Sequence, residues 1–201
     1  AGEADSDAEC GQMLLRPVME VALDFSALSV ARGHDACTRC AELGVHRLDL
    51  ARQATVFDGQ QQCLACDSDE LGVGIQSRAF RSGGVVPWAL PGVGAVATQA
   101  FSEKSYGALG LELMRAGKTP EQALASLVAA DPLAGYRQVS MLAADGTAAV
   151  HTGDACIPAA GHRIGDGVTA QANCVEGPKV WESMVDAFTE SNGSLQRRVF
   201  A

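Results

Sequence analysis

Four cysteines carry the most recognisable chemistry in this sequence. Cys37 and Cys40 form one CxxC pair and Cys63 and Cys66 a second, with twenty-two residues between the pairs. Each CxxC makes a tight knuckle, and two knuckles can present four thiolates tetrahedrally to Zn²⁺. The intervening length slightly exceeds the common range of roughly fifteen to twenty. The second pair has a competing use, because CLACDSDELGVGIQS (63–77) reads as strand, acidic turn and strand. A strand spreads positions three apart by roughly 10 Å and points them to opposite faces. Cys63 and Cys66 therefore serve either a zinc knuckle or a first strand, and an intact sheet favours the strand. Cys156 and Cys174 are most simply small core residues.

The elements that must position any site begin with two apolar runs, Leu71 to Gln76 and Val93 to Gln99. Both alternate with Gly and Ala, are separated by Gly83, Gly84, Pro87 and Pro91, and end in a Gln at the rim of an apolar surface. Small residues at every second position let another layer approach closely. GVG at 72–74 and 92–94 lacks the third glycine, the helix start and the Lys of a phosphate loop, so packing explains it. After Ser105 an apolar helix runs to Gly117. A second helix starts at Thr119 with Pro120 at its first position and Gln122 placed for a capping box. Ala123, Leu124, Leu127 and Val128 form its apolar face. RQVSMLAADGTAAVHTG (137–153) places two strands around Asp145 and Gly146. DACIPAAGHRIGDG is a turn-rich connection to the strand VTAQANCV, and Pro178 opens a last helix striped by Trp181, Met184, Val185 and Phe188. Strands and paired helices in blocks predict an α+β layered domain.

The totals bound the class. With 201 residues the chain holds one well-filled domain and a small appendage, divided near residue 60 by the connector DGQQQ. A net charge of −9 argues against nucleic acid or an anionic membrane as the main partner. Between Arg81 and Glu103 lie twenty-one uncharged residues, but two prolines and four glycines among them exclude a membrane helix. The opening AGEADSDAEC is acidic and unlike a signal peptide. Seven cysteines, odd in number and partly in CxxC spacing, point to reduced thiols or metal. The expected compartment is the cytoplasm.

LGVGIQSRAF, GGVVPWALPGVGAVATQAF, SYGALGLELMRAGKTPEQAL, LAADPLAGYRQV, AAVHTGDACIPAAGHRIGD and TAQANCVEGPKVWESMVDAF resemble the bacterial family DUF1028, a domain of unknown function. The resemblance runs from about Cys63 to Glu190. It implies a four-layer αββα sandwich similar to N-terminal-nucleophile hydrolases, here over residues 61–201 and incomplete at the C-terminal end, with residues 1–60 as a poorly ordered or zinc-finger-like appendage. An edge left open by missing strands would invite pairing with a second copy. Some members of the family carry a peptidoglycan-binding domain, which implies amide hydrolysis on a peptide-like or cell-wall substrate, a reaction that requires no cofactor.

In that mechanism the first residue of the mature chain supplies the nucleophile, and its own α-amine, with a pKa near neutrality, is the base. The family opens its first strand with Thr-aromatic-Ser; here the corresponding place holds Gln60, Gln61 and Gln62. Cys63 is the nearest thiol and Thr55 a more distant hydroxyl. The resemblance places Ser77, Gln99, His151 and Asn173 among catalytic candidates, and Thr152, His162 and Gln171 among substrate-binding ones. Amides such as Asn173 or Gln99 would donate to an oxyanion, and His151 would orient or shuttle a proton. The segment CTRCAELGVHRLDLA…CLAC also resembles, loosely, the C-terminal zinc finger of DksA-type transcription regulators. That likeness makes Cys37, Cys40, Cys63 and Cys66 the ligands of Zn²⁺ in a non-catalytic binding or regulatory module.

Overall fold

Nine strands and four helices are described in the structure, a computed structural model covering residues 29–32, 60–67, 70–77, 79 and 82–201. The strands form two antiparallel sheets. One contains, in spatial order, β1 (Ser29–Arg32), β3 (Glu70–Gln76), β2 (Gln60–Asp67), β9 (Val168–Asn173) and β8 (Gly161–Gly165). The other contains β4 (Pro87–Leu90), β5 (Gly94–Ala100), β6 (Arg137–Ala143) and β7 (Ala148–Thr152). The helices are α1 (Ser105–Arg115), α2 (Pro120–Ala130), α3 (Lys179–Glu190) and α4 (Leu195–Val199).

The period of two in each strand decides what touches what. On β2, Cys63 and Ala65 face α3 and join Val168, Ala170, Ala172, Trp181, Val185 and Phe188. Leu64, between them in sequence, faces the other way and packs with Val73, Ile75, Ala95, Ala97 and Leu142 in the space between the sheets. On the far side of the second sheet Val96, Val139 and Met141 meet Tyr106, Leu111, Met114 and Leu124 of α1 and α2. Each sheet thus has helices on its outer face and the other sheet on its inner face.

Two close approaches depend on glycine. At Gly74 of β3 a Cβ would come within 2.7 Å of Val199, so the bare strand lets α4 lie on the sheet. At Gly107 of α1 a Cβ would lie 2.2 Å from the Trp88 ring, which is how α1 reaches β4. The capping box of α2 forms as its sequence predicts: the Gln122 amide donates to Thr119 Oγ1, and the Thr119 amide donates to Gln122 Oε1, both at 3.2 Å.

Three elements depart from the sequence reading. The connection DACIPAAGHRIGDG contains a full strand, β8, whose Gly161 and Gly165 lie under Trp181 and Val185. The Gly/Pro spacer before β5 contains β4, which begins at Pro87 and lies at a sheet edge, where a missing N–H is tolerated. A short helix, α4, follows the helix that Pro178 opens. Of the expected appendage, Ser29–Arg32 pairs along the edge of β3 with Val30 opposite Gly72. Thr55, Cys37, Cys40 and the rest of 1–59 lie outside the described residues. Among the described residues no helix is long and apolar enough to cross a membrane.

Candidate functional site

Strand register builds a polar layer at one end of the space between the sheets. In the first sheet Gln62 lies opposite Gln171, and Gln171 opposite His162. In the second sheet Gln99 lies opposite Gln138, and Gln138 opposite Thr152. These two rows of three face one another, because Gln62 and Gln171 share strand parity with inward-facing Leu64 and Thr169, and Gln138 shares it with Ser140 and Leu142. Gln60, opposite Asn173, extends the first row by one step. Beneath the rows Ser140 and Thr169 bond across the sheets at 3.1 Å, and beyond them the space is apolar.

Gln138 is the hub. Its Oε1 accepts from Gln99 Nε2 at 2.5 Å and Asn173 Nδ2 at 3.1 Å. Its Nε2 faces the backbone oxygens of Gly161 and Ala172 at 3.0 and 3.1 Å and Thr152 Oγ1 at 3.0 Å. Gln171 Nε2 donates to Gln62 Oε1 at 2.6 Å and to the Ala97 carbonyl in the facing sheet at 3.3 Å. Gln60 Oε1 accepts from the Ala100 amide at 3.1 Å, with Asn173 Nδ2 at 3.5 Å. Thr152 Oγ1 and His162 Nδ1, from the two edge strands β7 and β8, meet at 2.8 Å.

Burial grades along the layer. Gln62, Gln99, Gln138 and Gln171 are at most 1% exposed and Asn173 4%, whereas Thr152 is half-buried and His162 exposed. Three of the deeply buried amide atoms have no hydrogen-bond partner in the protein: Gln62 Nε2, Gln99 Oε1 and Gln171 Oε1. Buried polar groups are normally paired, so three together mark this layer out. The backbone adds a second sign. Ala100 and Cys174, each immediately after a cluster residue, have φ of 61° and 54°, a region that costs a non-glycine residue about 1 kcal/mol or more and gathers at functional sites.

The other sequence candidates fall elsewhere. Cys63 faces α3, on the opposite side of β2 from Gln60 and Gln62, and burial pushes its thiol up to about 12. Cys66, three positions on, packs toward the space between the sheets and donates to the Ala144 carbonyl at 3.2 Å. The two thiols diverge, as strand geometry requires, and do not form a knuckle. With Cys37 and Cys40 outside the described residues, the four-cysteine set is not assembled here. Among the described residues no three His, Cys, Asp or Glu side chains gather as metal ligands do. Ser77, after β3, accepts from the Ala79 amide at 3.0 Å in a local turn. His151 points to the helix side of β7, with Nε2 2.8 Å from the Ala134 carbonyl.

The structure thus brings together Gln99, Asn173, Thr152, His162 and Gln171. Sequence reading missed Gln138 and the inward role of Gln60 and Gln62. The available signal was parity: Gln138 stands in step with Ser140 and Leu142. Its partners lie on strands remote in sequence, so the hub itself was not visible.

One flank of the layer is pinned by an ion pair. Arg137 Nε lies 2.8 Å from Asp131 Oδ2, with both side chains largely buried, and Arg137 also donates to the Phe101 carbonyl at 2.5 Å. The guanidinium holds the Asp131 carboxyl below its usual range, and Tyr106 donates to the same carboxylate at 3.1 Å. Together they fix the turn that carries Ala100 out of β5.

No curated protein matches the chain. A crystal structure of a protein from Silicibacter pomeroyi, assigned to DUF1028, is similar at 26% identity with a TM-score of 0.68; the match covers 70% of this chain and 64% of that one. The chain therefore spans less than two thirds of that protein's length. The family model for DUF1028 matches residues 62–201, well over half of the sequence, and the chain belongs to this family of unknown function.

Proposed function

We propose that the domain recognises an amide-bearing, peptide-like small molecule in the carboxamide layer between its sheets, on a scaffold of the N-terminal-nucleophile hydrolase type. The observation that carries this reading is the set of three partnerless buried atoms, one donor (Gln62 Nε2) and two acceptors (Gln99 Oε1 and Gln171 Oε1). A primary carboxamide is their complement: its carbonyl accepts once and its NH₂ donates twice. A buried polar atom left unmatched costs about 1–3 kcal/mol, so a ligand that satisfies all three is strongly favoured over an apolar one.

Hydrolysis by the N-terminal-nucleophile route asks for a hydroxyl or thiol at the start of β2. Gln60 and Gln62 supply neither, and Cys63 faces the helices with its thiol protonated. Recognition of an amide is therefore favoured over that route. The family resemblance, with its link to peptidoglycan, narrows the ligand to a cell-wall peptide amide.

The test is calorimetric titration with muramyl dipeptide, whose isoglutamine carries a primary carboxamide, beside the analogue with glutamic acid there. Binding of the amide form, at least tenfold weaker binding of the acid, and loss in Gln99→Leu are expected. Equal affinity for both forms, or none for either because a single water fills the layer, overturns the reading.

A further inference from the structure

We propose that Thr152 and His162 form a nucleophile–base pair that carries out acyl transfer at the open edge of the polar layer, using a hydroxyl remote from the start of β2. The Thr152 Oγ1 to His162 Nδ1 distance of 2.8 Å joins the edge strands of the two sheets. The direction of the proton follows from the third partner. Gln138 faces two backbone carbonyls, Gly161 and Ala172, with one amide atom. Carbonyls only accept, so that atom is the nitrogen. The same nitrogen lies 3.0 Å from Thr152 Oγ1 and cannot accept a proton from it. Gln138 Nε2 cannot accept, so His162 Nδ1, in the tautomer that carries the ring hydrogen on Nε2, is the acceptor for the threonine proton.

Two further features suit this assignment. Partial desolvation and then the neighbouring His151 lower the His162 pKa from 6.5, which favours the neutral imidazole that a base requires. Thr152 is half-buried and His162 exposed, so a substrate arriving at the β7–β8 edge reaches both side chains.

In the reaction, Thr152 Oγ1 bonds to the carbonyl carbon of an amide or ester while its proton passes to His162 Nδ1. The tetrahedral adduct collapses, the bond from carbon to the leaving nitrogen or oxygen breaks, and His162 returns the proton to the leaving group. Water then adds to the acyl-threonine ester, giving its proton to His162. Cleavage of the ester releases the acid, and the proton goes back to Thr152. The substrate class rests on the recognition reading above; the nucleophile does not.

The experiment uses p-nitrophenyl acetate on the whole chain, with nitrophenolate release followed optically and the acyl site mapped by peptide mass spectrometry. An acetyl ester on Thr152 is expected. Thr152→Val and His162→Ala should each slow its formation about 10²-fold, and Thr152→Ser, which keeps the hydroxyl and guards against a misfolded variant, should stay within tenfold. In the unmodified protein the rate should rise with pH through a midpoint below 6.5. Acetylation confined to Lys or Cys, or an unchanged rate in folded Thr152→Val, overturns the proposal. Muramyl dipeptide titrations of the same samples separate the two ideas. Binding without acylation sinks only the nucleophile, and acylation of Thr152 without binding sinks only the recognition reading.

Discussion

Replacing Gln138 by Leu tests whether the polar layer is held by its hub. The side chain is fully buried, with two donors on its Oε1 and three acceptors sharing the two hydrogens of its Nε2. Leu is close in volume, so the substitution removes bonds without opening a large cavity. Gln99 Nε2 loses its one partner. Asn173 Nδ2 keeps only the longer contact to Gln60 at 3.5 Å, and the Gly161 and Ala172 carbonyls each lose a donor. An orphaned buried group costs about 1–3 kcal/mol. Counting Gln99 in full, the others in part, and the added apolar contact of Leu in the opposite sense gives a loss of about 3 kcal/mol. For a chain of 201 residues, each kcal/mol moves Tm by roughly 2–4 °C, so melting should fall by about 6–12 °C. Urea unfolding followed by circular dichroism should show a lower midpoint with the same m-value. Gln76→Leu, on the exposed end of β3, is the control and should change stability by no more than about 0.5 kcal/mol. A loss below about 1 kcal/mol in Gln138→Leu would show that the bonds are exchanged with solvent, and would refute the picture of a closed amide layer.

Two more outcomes follow from the packing. Cys63, with its thiol pushed up to about 12, has only about one part in 10⁴ as thiolate at pH 8; iodoacetamide should leave it unmodified in the native protein and alkylate it in urea. Rapid native alkylation, traced by peptide mapping, would place that thiol elsewhere. Gly107→Ala should destabilise by about 1–3 kcal/mol through the Trp88 ring, although alanine in an unconstrained helix stabilises by up to about 1 kcal/mol. A rise in Tm would mean that α1 does not rest on β4.

The legible parts of this fold were local. Thr119, Pro120 and Gln122 announce the start of α2 within four residues, and Asp145–Gly146 announces the β6–β7 hairpin in two, because capping and turn geometry are satisfied by neighbours in sequence. The alternating small residues of β3 and β5 announced close packing but not its object: α4 lies on Gly74, and Met114 of α1 lies 3.2 Å from the Cβ position of Gly94. β8 was hidden because GHRIG is short and glycine-bounded, with no apolar alternation of its own. Its strand character comes from pairing with β9 and from the Trp181 ring over Gly161. The candidate site was half legible. Resemblance singled out Gln99, Asn173, Thr152, His162 and Gln171, but the hub that joins them is set by the register of β6 against β5 and β7. Register between β5 and β6, whose partners Gln99 and Gln138 are 39 residues apart, is fixed by the whole core, not by either strand.

The distribution of chemistry across the layer has a physical reason. An ionised side chain placed as deep as Gln62 or Gln171 would require a charged partner or would shift its pKa and neutralise. A carboxamide offers donors and an acceptor with no charge at any pH, so it is the group that can sit between two sheets and still specify a polar ligand. A titratable side chain without a charged partner is tolerated more readily where solvent reaches, and the two rows follow this: four glutamines inside, Thr152 and His162 at the edge. The same logic bears on Gln60. At the place where the resemblance puts a nucleophile, this chain has a neutral amide bonded to the Ala100 backbone, which ties β2 to the strained end of β5. The two proposals divide along the same line, recognition by the deep glutamines and reactivity at the rim. The hydroxyl–imidazole contact of Thr152 and His162 lies where the two rows end, on the edge strands β7 and β8.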